Sequence, residues 1–150
     1  MPSGATGILP PGADPVDRTD TALPVIVAGL LAPPGSLFLV ENPEAHLHPA
    51  GQSRIGRFLA VLAASGVQVI VETHSDHVLN GVRLAAVDPA HPVRHDQIIV
   101  QYFHADDSAA KRALPIDVTA KGGLSTWPDG FFDQSEKDLA AILEARRNAR

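Results

Sequence analysis

The chain has no cysteine, so its 150 residues can form neither a disulfide framework nor a thiolate metal site. It also lacks an excess of basic charge. Twelve Lys and Arg against 17 Asp and Glu leave a formal net charge of −5, without the basic footprint by which a domain grips nucleic acid directly. No apolar run reaches the ~20 residues needed to cross a bilayer; the longest, Leu23 to Ala32, is broken by Pro33-Pro34. No basic stretch followed by an apolar core stands near Met1, which argues against a secretory signal. These absences lead to the expectation of a cytoplasmic chain of one-domain size, long enough to bury a core.

What is present falls into three regions. Met1 to Asp20 is rich in Pro, Gly, Ala and Asp without apolar period, and is expected to be a flexible leader (residues 1–20). Residues 21–104 alternate apolar helices and strands. Thr21 to Ala32 reads as a buried helix ended by Pro33-Pro34-Gly35, and Leu37 to Glu41 as a continuous apolar strand. Pro49 can open a helix that carries Ile55, Phe58, Leu59 and Leu62 at helical spacing to Ala64. Ser65-Gly66 stops it, and Val67 to Thr73 is a second strand. Ser75 or Asp76 can cap a helix to Val87, and Gln97 to His104 alternates as a third strand. Residues 105–150 hold a fourth strand over Arg112 to Thr119, a turn-rich segment and a polar helix from Gln134 to Arg147. The strand–helix–strand–helix order predicts an α/β fold with a mostly parallel sheet, flanking helices and a small C-terminal β-hairpin and helix extending or covering its edge.

Both parallel-type strands deliver polar residues at their C-terminal ends, the layout of a ligand site at a sheet edge. The first ends in Glu41-Asn42-Pro43-Glu44-Ala45-His46-Leu47-His48-Pro49, the second in Glu72-Thr73-His74-Ser75-Asp76-His77. A carboxylate at Glu41 is placed to hold Mg²⁺ beside a bound triphosphate, or is simply a solvated strand-end acid. His74 can contact a γ-phosphate or attacking water, or be a hydrogen-bonded loop histidine. His46, His48, His74 and His77 match no zinc spacing, and no glycine-flanked elbow surrounds Ser75. The Trp127-Pro128-Asp129-Gly130-Phe131-Phe132-Asp133 segment is read either as an exposed interaction patch or as an aromatic pin for the C-terminal loop.

Together these residues resemble the ABC/SMC-like branch of prokaryotic AAA-type ATPases, the group close to the ATPase domain of OLD-family nucleases. More narrowly, they resemble the C-terminal part of a subgroup whose ATPase core ends in a small domain of unknown function. The resemblance covers Leu23 to Leu143. It implies a P-loop-NTPase-like fold and binding and hydrolysis of Mg²⁺-ATP. Glu41-Asn42-Pro43-Glu44 to Pro49 takes the Walker B and D-loop region, Glu72 to Asn80 the switch-histidine region, and Trp127 to Gln134 the C-terminal domain. By that resemblance Glu41 is the Mg²⁺-associated acid and His74 the switch histidine. Asn42 falls where a catalytic glutamate is usual; an amide orients water without taking its proton, which leaves Glu44 as an alternative base.

Two parts of the family pattern are missing. No Gly-x-x-x-x-Gly-Lys-Ser/Thr loop occurs in the 150 residues, and its backbone N–H groups and lysine supply most of a phosphate grip. Where a glycine- and serine-bearing signature loop is expected, the chain reads Asp17-Arg18-Thr19-Asp20-Thr21-Ala22, whose acids repel a γ-phosphate. The expectation is therefore a partial ATPase domain, inactive without a Walker A-bearing segment, with an N-terminal ATPase fragment or a homologous ATPase subunit as partner. A different class of reading, a non-catalytic interaction module binding a partner ATPase, stands beside it. A metal-dependent hydrolase using the His/Asp/Glu cluster is a third.

Overall fold

The computed structural model describes residues 22–91, 93–105 and 111–148; the leader expected over residues 1–20 lies outside them. In chain order the elements are α1 (Ala22–Leu31), β1 (Leu37–Glu41), α2 (Pro49–Ala64), β2 (Gln68–Glu72), α3 (Asp76–Val87), a 3₁₀ turn (His95–Gln97), β3 (Ile99–Ala105), β4 (Lys111–Asp117) and α4 (Gln134–Asn148). Local chemistry sets their ends. His48 in extended conformation precedes Pro49 at the first turn of α2, where a missing N–H costs nothing. Gly66, at φ 95°, turns the chain out of α2 into β2. Ser75 Oγ accepts from the backbone N–H groups of His77 and Val78, capping α3 as expected from sequence.

β1 and β2 pair in parallel, Leu37 to Glu41 against Gln68 to Glu72, and α2 is the crossover between them. Phe38, Val40, Val69 and Val71 face the helices, packing on Ile55, Leu59 and Val78 together with Val25, Ile26 and Phe58. The opposite face carries Leu37, Leu39, Glu41, Gln68, Ile70 and Glu72 and is exposed; Leu39 remains 65% and Ile70 51% accessible. Here structure and sequence diverge. Near-continuous apolar runs belong to parallel strands covered on both faces, and among the described residues only one face is covered.

The expected C-terminal hairpin forms, but it does not extend the parallel sheet. β3 and β4 pair antiparallel, Ile99 to Ala105 against Lys111 to Asp117, in a sheet of their own rather than extending the parallel one. Their inner residues Val100, Tyr102, Leu114 and Ile116 gather with Leu79, Leu124, Phe131 and Phe132 in a second core. α3 is the wall between the two cores: Val78 points into the first and its neighbour Leu79 into the second. Phe131 is buried, with edge-on contacts to Tyr102 at 5.1 Å and Trp127 at 5.4 Å between ring centroids. The aromatic segment thus pins the C-terminal loop, with Trp127 left half exposed. The Arg83 guanidinium lies 5.8 Å over that indole while its Nε donates to Gly122 O at 2.6 Å.

Two glycines let α2 and α3 touch backbone to backbone. A Cβ on Gly56 would lie 2.2 Å from Val78 O, and one on Gly81 2.1 Å from Ser53 O. At the far end of the pair, Arg57 Nη2 on α2 donates to Asp88 Oδ2 at 2.6 Å, just past α3. The Ala90 N–H, then His91 and Arg57, hold the Asp88 carboxyl below its ordinary value.

Gly81→Ala is expected to destabilise the fold by about 1–3 kcal/mol through forced separation of the helices. Gly51→Ala, which meets Leu47 only at ordinary contact distance, is expected to be neutral or to stabilise by up to about 1 kcal/mol; chemical denaturation monitored by circular dichroism separates the two. Because Asp88 titrates lower folded than unfolded, its contribution is complete above the ordinary carboxylate range and fades as pH falls through the folded value. Asp88→Asn is therefore expected to shrink the acid-side loss of stability measured across pH 2 to 6, roughly the carboxylate window.

Candidate functional site

The polar ends of β1 and β2 lie side by side because the strands are in register: Glu41 stands opposite Glu72, both on the exposed face. The ladder continues one step, Asn42 N–H donating to Glu72 O at 2.9 Å. Asn42 then takes φ 46°, in the left-handed region that asparagine tolerates better than most residues. Pro43 after it is buried, and His46 is also left-handed at φ 62°. The turn between β1 and α2 is thus tightly folded, with Glu41 and Asn42 open to solvent.

Glu44 joins the two strand ends. One carboxylate oxygen accepts from Thr73 Oγ1 at 2.7 Å and the other from the His74 backbone N–H at 2.9 Å. Thr73 Oγ1 in turn accepts from Ser75 N–H at 3.1 Å, and Ser75 Oγ donates to Gln52 Oε1 at 2.6 Å. Gln52 Nε2 closes the chain on Leu47 O at 2.8 Å. A continuous hydrogen-bonded path therefore links the post-β1 loop, the post-β2 loop and the first turns of α2 and α3. Charge-assisted bonds to Glu44 are the strongest members of such a chain. His74 itself keeps an exposed imidazole while its backbone is held.

The other histidines are dispersed among local tasks. His48 Nδ1 faces the Ala50 N–H at the start of α2, and His77 Nδ1 lies 3.7 Å from Asp76. Among the described residues no three His, Asp or Glu side chains stand together as a transition-metal set. Glu41 and Glu72 offer hard oxygen donors at adjacent strand ends, a fit for Mg²⁺, which keeps several waters and needs only one or two carboxylates besides phosphate oxygens. No Gly-x-x-x-x-Gly-Lys-Ser/Thr loop accompanies them in the 150 residues. Two clefts among the described residues lie elsewhere: one of about 300 Å³ between Arg83, Val87 and Lys121, the other of about 240 Å³ between Gly29, Phe58 and Leu62. Glu41, Asn42, Glu44 and His74 line neither. The family resemblance pointed to Glu44 as a base and the residue type to Ser75 as a helix cap, each individually. Neither carried a signal for Gln52 or Thr73, whose roles arise only where separate loops meet.

Residues 19–80 match the family model described as an AAA domain, putative AbiEii toxin, Type IV TA system. Residues 93–142 match a protein family of unknown function, DUF3696. That second match begins ahead of β3, so the hairpin and the aromatic segment fall in one matched region. The OLD nuclease of Thermus scotoductus is 32% identical over 73 residues, 48% of this chain and 14% of that protein. The Old nuclease of Escherichia phage P2 is 36% identical over 50 residues, 33% of this chain and 8% of that protein. The chain therefore spans a small fraction of the curated relatives it matches. No solved structure matches. By these findings residues 19–80 are similar to an AAA domain and part of the chain to OLD nucleases, while residues 93–142 are similar to DUF3696. The chain's α/β architecture, with a small parallel sheet, flanking helices and a C-terminal hairpin and helix, is that of a partial P-loop-NTPase-like fold. No helix among the described residues is long and apolar enough to cross a membrane.

Glu44→Ala is expected to release the His74 loop at a cost of about 1–3 kcal/mol, the price of leaving Thr73 and the His74 N–H without their acceptor. Amide hydrogen exchange checks this directly: the His74 N–H should lose its protection while α2 and the inner β2 amides keep theirs.

Proposed function

We propose that this chain contributes the Mg²⁺-side half of an ATP site and requires a Walker A-bearing segment to bind nucleotide. The observation that carries the reading is the pairing of a strand-end polar cluster with an uncovered apolar sheet face. Leu37, Leu39 and Ile70 are exposed beside Glu41 and Glu72, where a parallel sheet of this composition is ordinarily covered. The phosphate-gripping half, with its own strands, is the natural cover. It comes from a Walker A-bearing ATPase segment or from a homologous ATPase subunit. Similarity to an AAA domain supports a general dependence on nucleotide and Mg²⁺, and the cysteine-free composition agrees with a cytoplasmic setting.

Within such a site Glu41, in the Walker B position, would hold Mg²⁺, which would supply charge neutralisation on the phosphates. His74 presents its imidazole toward the γ-phosphate side. Asn42 orients water through its amide without accepting its proton, so hydrolysis is slow. Glu44, with each oxygen already accepting one hydrogen bond, positions His74 and remains the residue with a carboxylate to serve as base. Ala45 to Pro49 would be the D-loop, and Glu44 immediately before it accepts from Thr73 and the His74 N–H, a route to the switch histidine.

The same exposed sheet face also suits a non-catalytic module that docks on a partner ATPase, a reading that differs in not needing Glu41 or His74. Calorimetry with Mg²⁺-ATP tests the first proposal. The folded chain alone is expected to give no saturable heat. Saturable binding lost in Glu41→Ala or His74→Ala would overturn it, since the phosphate grip would then reside in these residues.

A further inference from the structure

We infer that α4 is a self-association helix that pairs antiparallel with α4 of a second copy of this chain. Ser135, Leu139, Ile142 and Arg146 recur at spacings of four, three and four residues, which places them in one stripe, with Leu143 beside it. Leu139, Ile142 and Leu143 are 57%, 54% and 51% exposed, and no residue of α4 is buried among the described residues. An isolated helix of this length, about 22 Å, is marginal in water and normally owes its stability to packing of an apolar face.

The helix is not loosely attached at its base. Lys137 Nζ lies 2.8 Å from both Asp129 Oδ1 and Asp133 Oδ2, and Asp133 also accepts from the Gly130 N–H at 2.9 Å. These ion pairs, which raise the Lys137 ammonium above its ordinary value, tie the first turn to the loop that Phe131 pins into the second core. Lys137 sits on the side opposite the stripe, so the anchor leaves the apolar face turned outward.

Charge along the stripe identifies the occupant. The first turn carries Glu136 and the last carries Arg146 and Arg147, and neither Glu136 nor Arg146 has an ion-pair partner among the described residues. A parallel pair would stack Arg146 on Arg146. An antiparallel pair sets Leu139 of one copy against Ile142 of the other, and places Arg146 opposite the small Ser135 with Glu136 in reach. That arrangement is self-complementary, so each contact occurs twice, as a two-fold interface requires. Two helices of this length bury less than a standard stable interface, so the pairing is weak and concentration-dependent. It needs no nucleotide, which separates it from any ATP-driven association.

Sedimentation equilibrium of the full chain without nucleotide tests this. The apparent mass is expected to rise from 15.8 kDa toward twice that with concentration. Glu136→Arg and Arg146→Glu are each expected to weaken the dimer about tenfold, because each change replaces two attractions with two repulsions. The double exchange is expected to restore it, and Leu139→Asp with Ile142→Asp to abolish it. All positions are exposed, and an unchanged circular dichroism spectrum confirms that the cores are intact. A chain that stays monomeric to about 1 mM, a dimer indifferent to the apolar substitutions, or a double exchange that fails to restore association would each overturn the inference.

Discussion

The crossing of α2 and α3 through Gly56 and Gly81 is the contact on which the remaining geometry rests. Where each helix offers a bare Cα, the carbonyls of Val78 and Ser53 can occupy space that any side chain would fill. At that separation Ile55, Leu59 and Val78 interlock over the parallel strands, and the next residue, Leu79, is delivered to the opposite side. α3 therefore belongs to two cores at once. Its N-terminus fixes the loop that carries His74, and its outer side gives the hairpin and Phe131 a surface to bury against. Moving α3 by the width of a methyl group would disturb the capped turn at Ser75 as well as both cores, because interiors at native density have no slack to absorb it.

The candidate site uses this rigidity differently from a site built in a cavity. Its reactive groups are exposed, and its order lies in the backbone beneath them. Glu44, Thr73, Ser75 and Gln52 are half-buried or buried polar side chains whose bonding capacity is spent on one another and on the two loops. A network satisfied in this way favours a single loop arrangement, since any alternative leaves a buried polar group unpaired. The residues Glu41 and His74 themselves stay exposed above it. Preorganised backbone beneath exposed side chains is what the proposed composite site would require of this half.

Exposure of the second sheet face gives the same picture from the packing side. Leu39 and Ile70 are neighbours in register, apolar, and uncovered on the face shared with Glu41 and Glu72. Exposed strands of this kind invite association. The matched family segment ends at residue 80 and the second begins at 93, so the break between them takes in the second half of α3 and the segment after it. The molecule is thus organised around a shared helix rather than as beads on a linker.

Much of this was legible along the chain. Element order, the helix starts at Pro49 and Ser75, and the clustering of acids and histidines at two strand ends follow from local rules: proline at a first turn, serine as a cap, apolar period. Those rules depend only on residues a few positions apart. Three decisions needed the tertiary structure. The hairpin forms its own sheet because Ile116 and Phe131 find Leu79 on α3 rather than an edge of β1 or β2. Glu44 becomes a clip because Thr73 and His74, about thirty residues away, present their hydrogens to it. The apolar strands are covered on one side only, which no pattern within a strand can report, since period describes what a face prefers and not whether another element arrives to cover it.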